Sequence, residues 1–146
     1  MVTIRKALRK DAAVIRSLIW RVQIYPFGLN WAHFMVAVDE QDRVIATGQI
    51  KPHRDGTREL ASIATHPGNR GQGLASEIIL RLLNEAPRPV YLRCLEKMGP
   101  FYARFGFHSL ALESMPPEYA RDIRMMDRVR RTVAPHLSHL LVMKLD

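Results

Sequence analysis

The sequence contains one cysteine, Cys94, in 146 residues. A single thiol closes no internal disulfide and supplies no thiolate pair for zinc, so no metal is expected. No apolar run approaches the roughly 18–20 residues that span a bilayer. The opening "MVTIRKALRKD" lacks the apolar core of a secretory leader. A soluble, cytoplasmic chain with no membrane partner is therefore expected. Linkers, repeats and low-complexity stretches are missing too, which reads as a single domain over 1–146. Acidic charge is scarce: 14 Asp+Glu face 22 Lys+Arg, a net charge of +8. That excess concentrates anions near the surface, whether nucleic acid, acidic membrane surfaces or phosphate-bearing small molecules.

What is present alternates between two periods. "VTIRKAL" reads as an opening strand, and "KDAAVIRSLIW" as a helix begun near Asp11, whose carboxylate can cap free N–H groups. "RVQIYPFGLNW", with Pro26 and Gly28, reads as a broken second helix or a loop. Phe34, Val36 and Val38 alternate in "HFMVAVD", a strand signal. "VIATGQIKP" and "RELASIAT" flank Asp55-Gly56, a strong hairpin dipeptide, and complete an antiparallel meander. A helix over Gly73–Ala86 follows, stopped by Pro87. Then come the strand "PVYLRC", the short helix "EKMGPFYARF", the strand "FHSLAL", a helix near 117–134 and the closing strand "HLLVMKL". In that last helix Tyr119, Ile123, Met126, Val129 and Val133 line one face, with arginines on the other. Hairpins mixed with helical crossovers predict an α/β (α+β) fold with a mixed sheet and helices on both faces.

Between the meander and the second helix lies "HPGNRGQGLAS", with Gly68, Gly71 and Gly73 in six positions. Helix N-termini expose unpaired N–H groups and a partial positive charge, so this is a natural place for phosphate. A P-loop would need lysine after Gly73, where Leu74 stands. A dinucleotide fingerprint would need a third Gly or Ala where Ser76 stands, and a preceding βαβ unit in place of hairpins.

What the stretch does match is R-x-x-G-x-A, carried by Arg70, Gly73 and Ala75. It resembles the acyl-CoA pyrophosphate loop of the GNAT superfamily of N-acyltransferases. "GPFYARFGFHS", one helix and one strand later, resembles that superfamily's FY-x-x-x-GF motif. The resemblance spans the chain from residue 2 to 145 and implies the GNAT fold, with the helix near 117–134 as an addition between the last two strands. It implies acetyl-CoA as cosubstrate, its pyrophosphate wrapped by the backbone of Arg70, Gly71, Gln72, Gly73, Leu74, Ala75 and Ser76. The acyl-CoA arm is then expected along Ile63, Ala64 and Thr65, where that strand splays from the fifth. An N–H of Ile63 or Ala64 would hold the acyl oxygen.

Acetyl transfer to an amine needs a neutral amine, orientation, oxyanion stabilisation and a proton for the departing thiolate. Tyr102, the tyrosine of the second motif, is the candidate proton donor, since a phenol stays protonated at neutral pH. Glu59 is the candidate base, direct or through water; strict alternation would put it on one face with Ala61, Ile63 and Thr65. His66 reads as a cap on the turn, and His33 and His108 as bystanders. Cys94, at the end of the fifth strand, raises an acetyl-cysteine route that direct transfer does not need. The implied activity is direct acetylation of a primary amine, the acceptor being a small molecule or a peptide or protein amine. A homodimer through the extra helix or an edge strand stays open. The competing reading is a non-catalytic CoA-binding or nucleic-acid-associated module, with Arg121, Arg124, Arg128, Arg130 and Arg131 on phosphates. No stacking aromatic signature accompanies those arginines, so nucleic acid is not the expected partner.

Overall fold

The computed structural model describes residues 1–146 except Gln23, Tyr25 and Leu137. Its described residues form seven strands and four α-helices in two compact units, Met1–Pro87 and Arg88–Asp146. No helix among them is long and apolar enough to cross a membrane.

In the first unit β1 (Thr3–Lys6), β2 (Phe34–Val38), β3 (Val44–Pro52) and β4 (Arg58–Thr65) pair antiparallel in that order. The Asp55-Gly56 turn joins β3 to β4, with Gly56 at φ 87° and the Asp55 carboxylate accepting from Thr57 N–H and Oγ1. β2 is buried on both faces because α1 (Ala12–Arg21) and α2 (Leu74–Glu85) lie on opposite sides of the sheet. Ile15, Leu18 and Ile19 of α1 pack with Phe34, Val36, Val38 and Ala64. On the other side a Cβ at Gly48 would lie 2.7–2.8 Å from Ile63 Cδ1 and Ile78 Cγ2. Only glycine fits so close an approach of helix to strand.

Asp11 does not cap α1 through its side chain. Its carboxylate instead accepts from Leu8 N–H at 2.7 Å and takes both Arg5 guanidinium nitrogens at 2.7 and 3.2 Å. Burial pushes the carboxyl up, but these bonds outweigh it and hold the group below its ordinary value. The segment 21–31, read as a broken helix or loop, includes Gln23 and Tyr25, which lie outside the described residues; Arg21 ends α1, Trp31 opens a short 3-10 turn, and the other described residues between them adopt no regular helix.

In the second unit β5 (Val90–Leu95), β6 (His108–Ser109) and β7 (Leu140–Leu145) pair antiparallel in the order β5-β7-β6. α3 (Gly99–Ala103) connects β5 to β6, and α4 (Pro117–Thr132) is the added helix between the last two strands. The strand expected over "FHSLAL" shrinks to His108–Ser109. The apolar stripe of α4 is only half used. Tyr119 is buried against Tyr91 and Val142, with Ile123 beside it, whereas Met126, Val129 and Val133 are exposed. The buried apolar partners there, Tyr91 and Val142, are already covered by the first turns of the helix. Three of its five arginines face carboxylates: Arg121 beside Glu118, and Arg130 and Arg131 beside Asp127.

Candidate active site

The glycine turn is built by backbone conformation. Gly71 and Gly73 sit at φ 81° and 74°, in the left-handed region that costs other residues about 1–2 kcal/mol. A Cβ at either would meet no atom within 4 Å, so their bareness serves no packing inside the chain. Gly73 is the N-cap of α2 and offers no side-chain acceptor; the first helical bond runs from Glu77 N–H to its carbonyl. The N–H groups of Leu74, Ala75 and Ser76 therefore have no intrahelical acceptor. Arg70, Gly71, Gln72 and Gly73 are exposed, while Leu74 is buried and anchors the helix. His66 caps the turn as expected, its Nδ1 accepting from Gly68 N–H at 3.1 Å.

β4 does not alternate strictly. Its pairing with β3 shifts by one residue between Thr47/Ala64 and Gln49/Ala61, leaving Ser62 and Ile63 opposite Gly48. Such a bulge flips side-chain parity beyond it. Glu59 and Ala61 thus share a face with Ala64, and Ile63 turns to the α2 face beside Gly48 and Ile78. The expected common face of Glu59, Ala61, Ile63 and Thr65 is corrected accordingly. Ser62 takes φ 58°, unusual for a residue with a side chain. Thr47 Oγ1 donates to its carbonyl at 2.9 Å and Gln49 Nε2 to its hydroxyl at 2.8 Å.

Glu59 is buried, only 4% exposed, and its Oε1 lies 2.8 Å from His53 Nε2. Sequence reasoning passed over His53. The signal was available, because the Asp55-Gly56 hairpin sets His53 opposite Thr57, diagonal to Glu59 on the same face.

Tyr102 lies in the second unit on α3, its ring edge-on to Phe101 at 5.1 Å and Phe107 at 6.3 Å. Burial, with a smaller contribution from Cys94, pushes its hydroxyl up to about 12. Burial likewise pushes the Cys94 thiol up to about 11, and the thiol points at Met143 Sδ at 3.9 Å. A thiol so hard to ionise is a poor nucleophile at neutral pH. His108 pairs with Asp146 at the surface.

The family model of the acetyltransferase (GNAT) domain matches residues 30–109, more than half of the chain. No curated protein matches it in sequence. Among solved structures, N-acetylglutamate synthase from Neisseria gonorrhoeae, complexed with coenzyme A and N-acetyl-glutamate, superposes with a TM-score of 0.75 at 18% identity. The match covers 100% of this chain and 35% of that one, so the chain spans about a third of the synthase. Rv2747 from Mycobacterium tuberculosis, in complex with CoA, gives 0.73 at 19% identity over 98% of both chains. Escherichia coli ElaA gives 0.71 at 14% over 100% of both. The shared fold, the family match and the R-x-x-G-x-A turn at the head of α2 together make this chain a member of the GNAT acetyltransferase family.

Proposed function

We propose that the chain transfers an acetyl group from acetyl-CoA directly to a primary amine. The observation that carries the reading is the turn at Gly71 and Gly73. Its two left-handed glycines have no intramolecular neighbour to avoid, and they precede three helix N–H groups that lack an intrahelical acceptor. Oxygens of a diphosphate fit that arrangement, and the exposed Arg70 adds charge. Structures of CoA-bound proteins with this fold support the same assignment.

Acetyl-CoA supplies the activated carbonyl. The chain supplies orientation, charge stabilisation and proton movement. The backbone of Ile63–Thr65 lies along the acyl arm, and one N–H there receives the carbonyl oxygen as charge develops on it. Tyr102 keeps its proton through the neutral range and donates it to the departing sulfur. Glu59 precedes Ile63 by four residues, about 13 Å of extended strand. That upper bound is well beyond hydrogen-bond reach, so Glu59 receives the amine proton through a chain of waters. A neutralised acceptor suits the positive chain better than a polycation does. The competing nucleic-acid reading is weaker, because Arg121, Arg130 and Arg131 already hold carboxylates.

Titration calorimetry with acetyl-CoA at two salt concentrations tests the reading, followed by thiol release with a panel of amines. Stoichiometric binding that weakens with salt, and turnover with at least one amine, is the expected result. Absence of binding overturns it.

A further inference from the structure

The bulge in β4 resolves which N–H is available to an acyl oxygen. His53 N–H donates to Thr57 O, so two and four residues on, Lys51/Glu59 and Gln49/Ala61 are hydrogen-bonded pairs. At the other end His66 N–H donates to Ile45 O, which makes Thr47/Ala64 a hydrogen-bonded pair. The Ala64 N–H is thus turned toward β3 and committed to the ladder. Two phases of pairing meet at Ser62 and Ile63, opposite Gly48 alone.

Both phases are locked from β3. Thr47 and Gln49 are fully buried, and their side chains grip Ser62 at two atoms, carbonyl oxygen and hydroxyl. Gln49 Nε2 also donates to Gly28 O at 3.2 Å; a carbonyl oxygen only accepts, which fixes the amide's orientation. The Ser62–Ile63 peptide is trans, so its N–H points opposite to its C=O. With the carbonyl held by Thr47, the Ile63 N–H is aimed away from β3 and out of that ladder.

We propose that Thr47 and Gln49 are positioning residues for acyl transfer. They hold Ser62 in its left-handed conformation so that the Ile63 N–H, and not that of Ala64, receives the acyl oxygen. The proposal rests on the acyl-CoA reading above. Left-handed Ser62 costs about 1–2 kcal/mol, and two hydrogen bonds from buried donors offset a penalty of that size. Gln49 extends the grip to Gly28, so the segment after α1 and the bulge are tied to one side chain.

The test uses the full chain and acetyl-CoA labelled with 13C at the thioester carbonyl. Calorimetry gives affinities for acetyl-CoA and for CoA, and isotope-edited infrared spectroscopy reads the bound carbonyl. In the wild type the carbonyl band should lie at lower wavenumber than in Thr47→Val, which keeps the volume and removes the donor. Thr47→Val should lose about 10- to 100-fold in kcat, with CoA affinity within about twofold of wild type, since free CoA carries no acyl oxygen to misplace. Thr47→Ser, which restores the hydroxyl, should recover both band and kcat. Gln49→Met, lacking the donor to Ser62 Oγ, provides a second route if Thr47→Val fails to fold, and should shift the band in the same direction. Acetyl-CoA binding with an unchanged band in the two donor-less variants overturns the positioning role and leaves the acyl-CoA reading intact. Equal damage in Thr47→Ser and Thr47→Val assigns Thr47 to packing and also overturns it. No acetyl-CoA binding by the wild type overturns both.

Discussion

His53 Nε2, one residue beyond the end of β3, and Glu59 Oε1 on β4 meet at 2.8 Å across the diagonal of the β3–β4 hairpin. This fixes the rotamer of a carboxylate that is only 4% exposed. Replacing Glu59 with Gln keeps the shape and removes the basic oxygen. We expect kcat to fall about 10²-fold, the lower end of general-base contributions because water intervenes. KM for acetyl-CoA should hold steady. An unchanged kcat in steady-state assays would remove Glu59 from proton transfer. His53→Ala should lower kcat less, and lower stability by about 1–3 kcal/mol through the lost bond to a buried charged group.

Gly73→Val should separate binding from folding. Its Cβ meets nothing within 4 Å, so the cost to the free protein is backbone strain alone, about 1–2 kcal/mol or somewhat more for a branched side chain. Acetyl-CoA affinity should fall by more than tenfold, because branched carbons would stand where diphosphate oxygens approach. Calorimetry beside thermal unfolding checks this, and retained affinity would defeat the assignment of the turn.

Tyr102→Phe should lower kcat with little change in acetyl-CoA affinity. The hydroxyl pKa is raised to about 12, so the protonated donor persists as pH rises. The wild-type kcat profile should therefore show no alkaline decline from this group below about pH 10. A decline near neutrality that disappears in Tyr102→Phe would contradict it.

Cys94→Ala should retain turnover. With its thiol raised to about 11, thiolate is scarce at neutral pH, and alkylation by iodoacetamide should be slow in the folded protein. Mass spectrometry of quenched reactions should find no acetyl group on the chain. An acetylated Cys94 peptide would reinstate the covalent route.

Much of this molecule was legible in one dimension because its signals are local. The hairpin dipeptide Asp55-Gly56, the alternation of β2 and the limits of β3 and β4 depend on neighbours in sequence, and the structure reproduces the β3 and β4 boundaries residue for residue. The R-x-x-G-x-A turn was readable for the same reason: left-handed backbone at Gly71 and Gly73 is a property of glycine itself. Where the sequence failed, the deciding contacts were ones that spacing does not show. At Asp11 the partners are near in sequence but act through side-chain geometry: Arg5 and the Leu8 N–H, six and three residues back, claim the carboxylate in place of the helix N–H groups. The stripe on α4 has perfect spacing, yet nothing buries Met126, Val129 or Val133.

Sequence alone thus determined the element order, the family and the glycine turn at the head of α2, since each is written in residues close together. Tertiary structure decided the rest. The one-residue slip between β3 and β4 moved Ile63 off the face of Glu59 and left Ser62 in a left-handed conformation whose carbonyl and hydroxyl are held by Thr47 and Gln49. Side-chain parity is a sum over every residue between two points, so one bulge, invisible to periodicity, reassigns all positions beyond it.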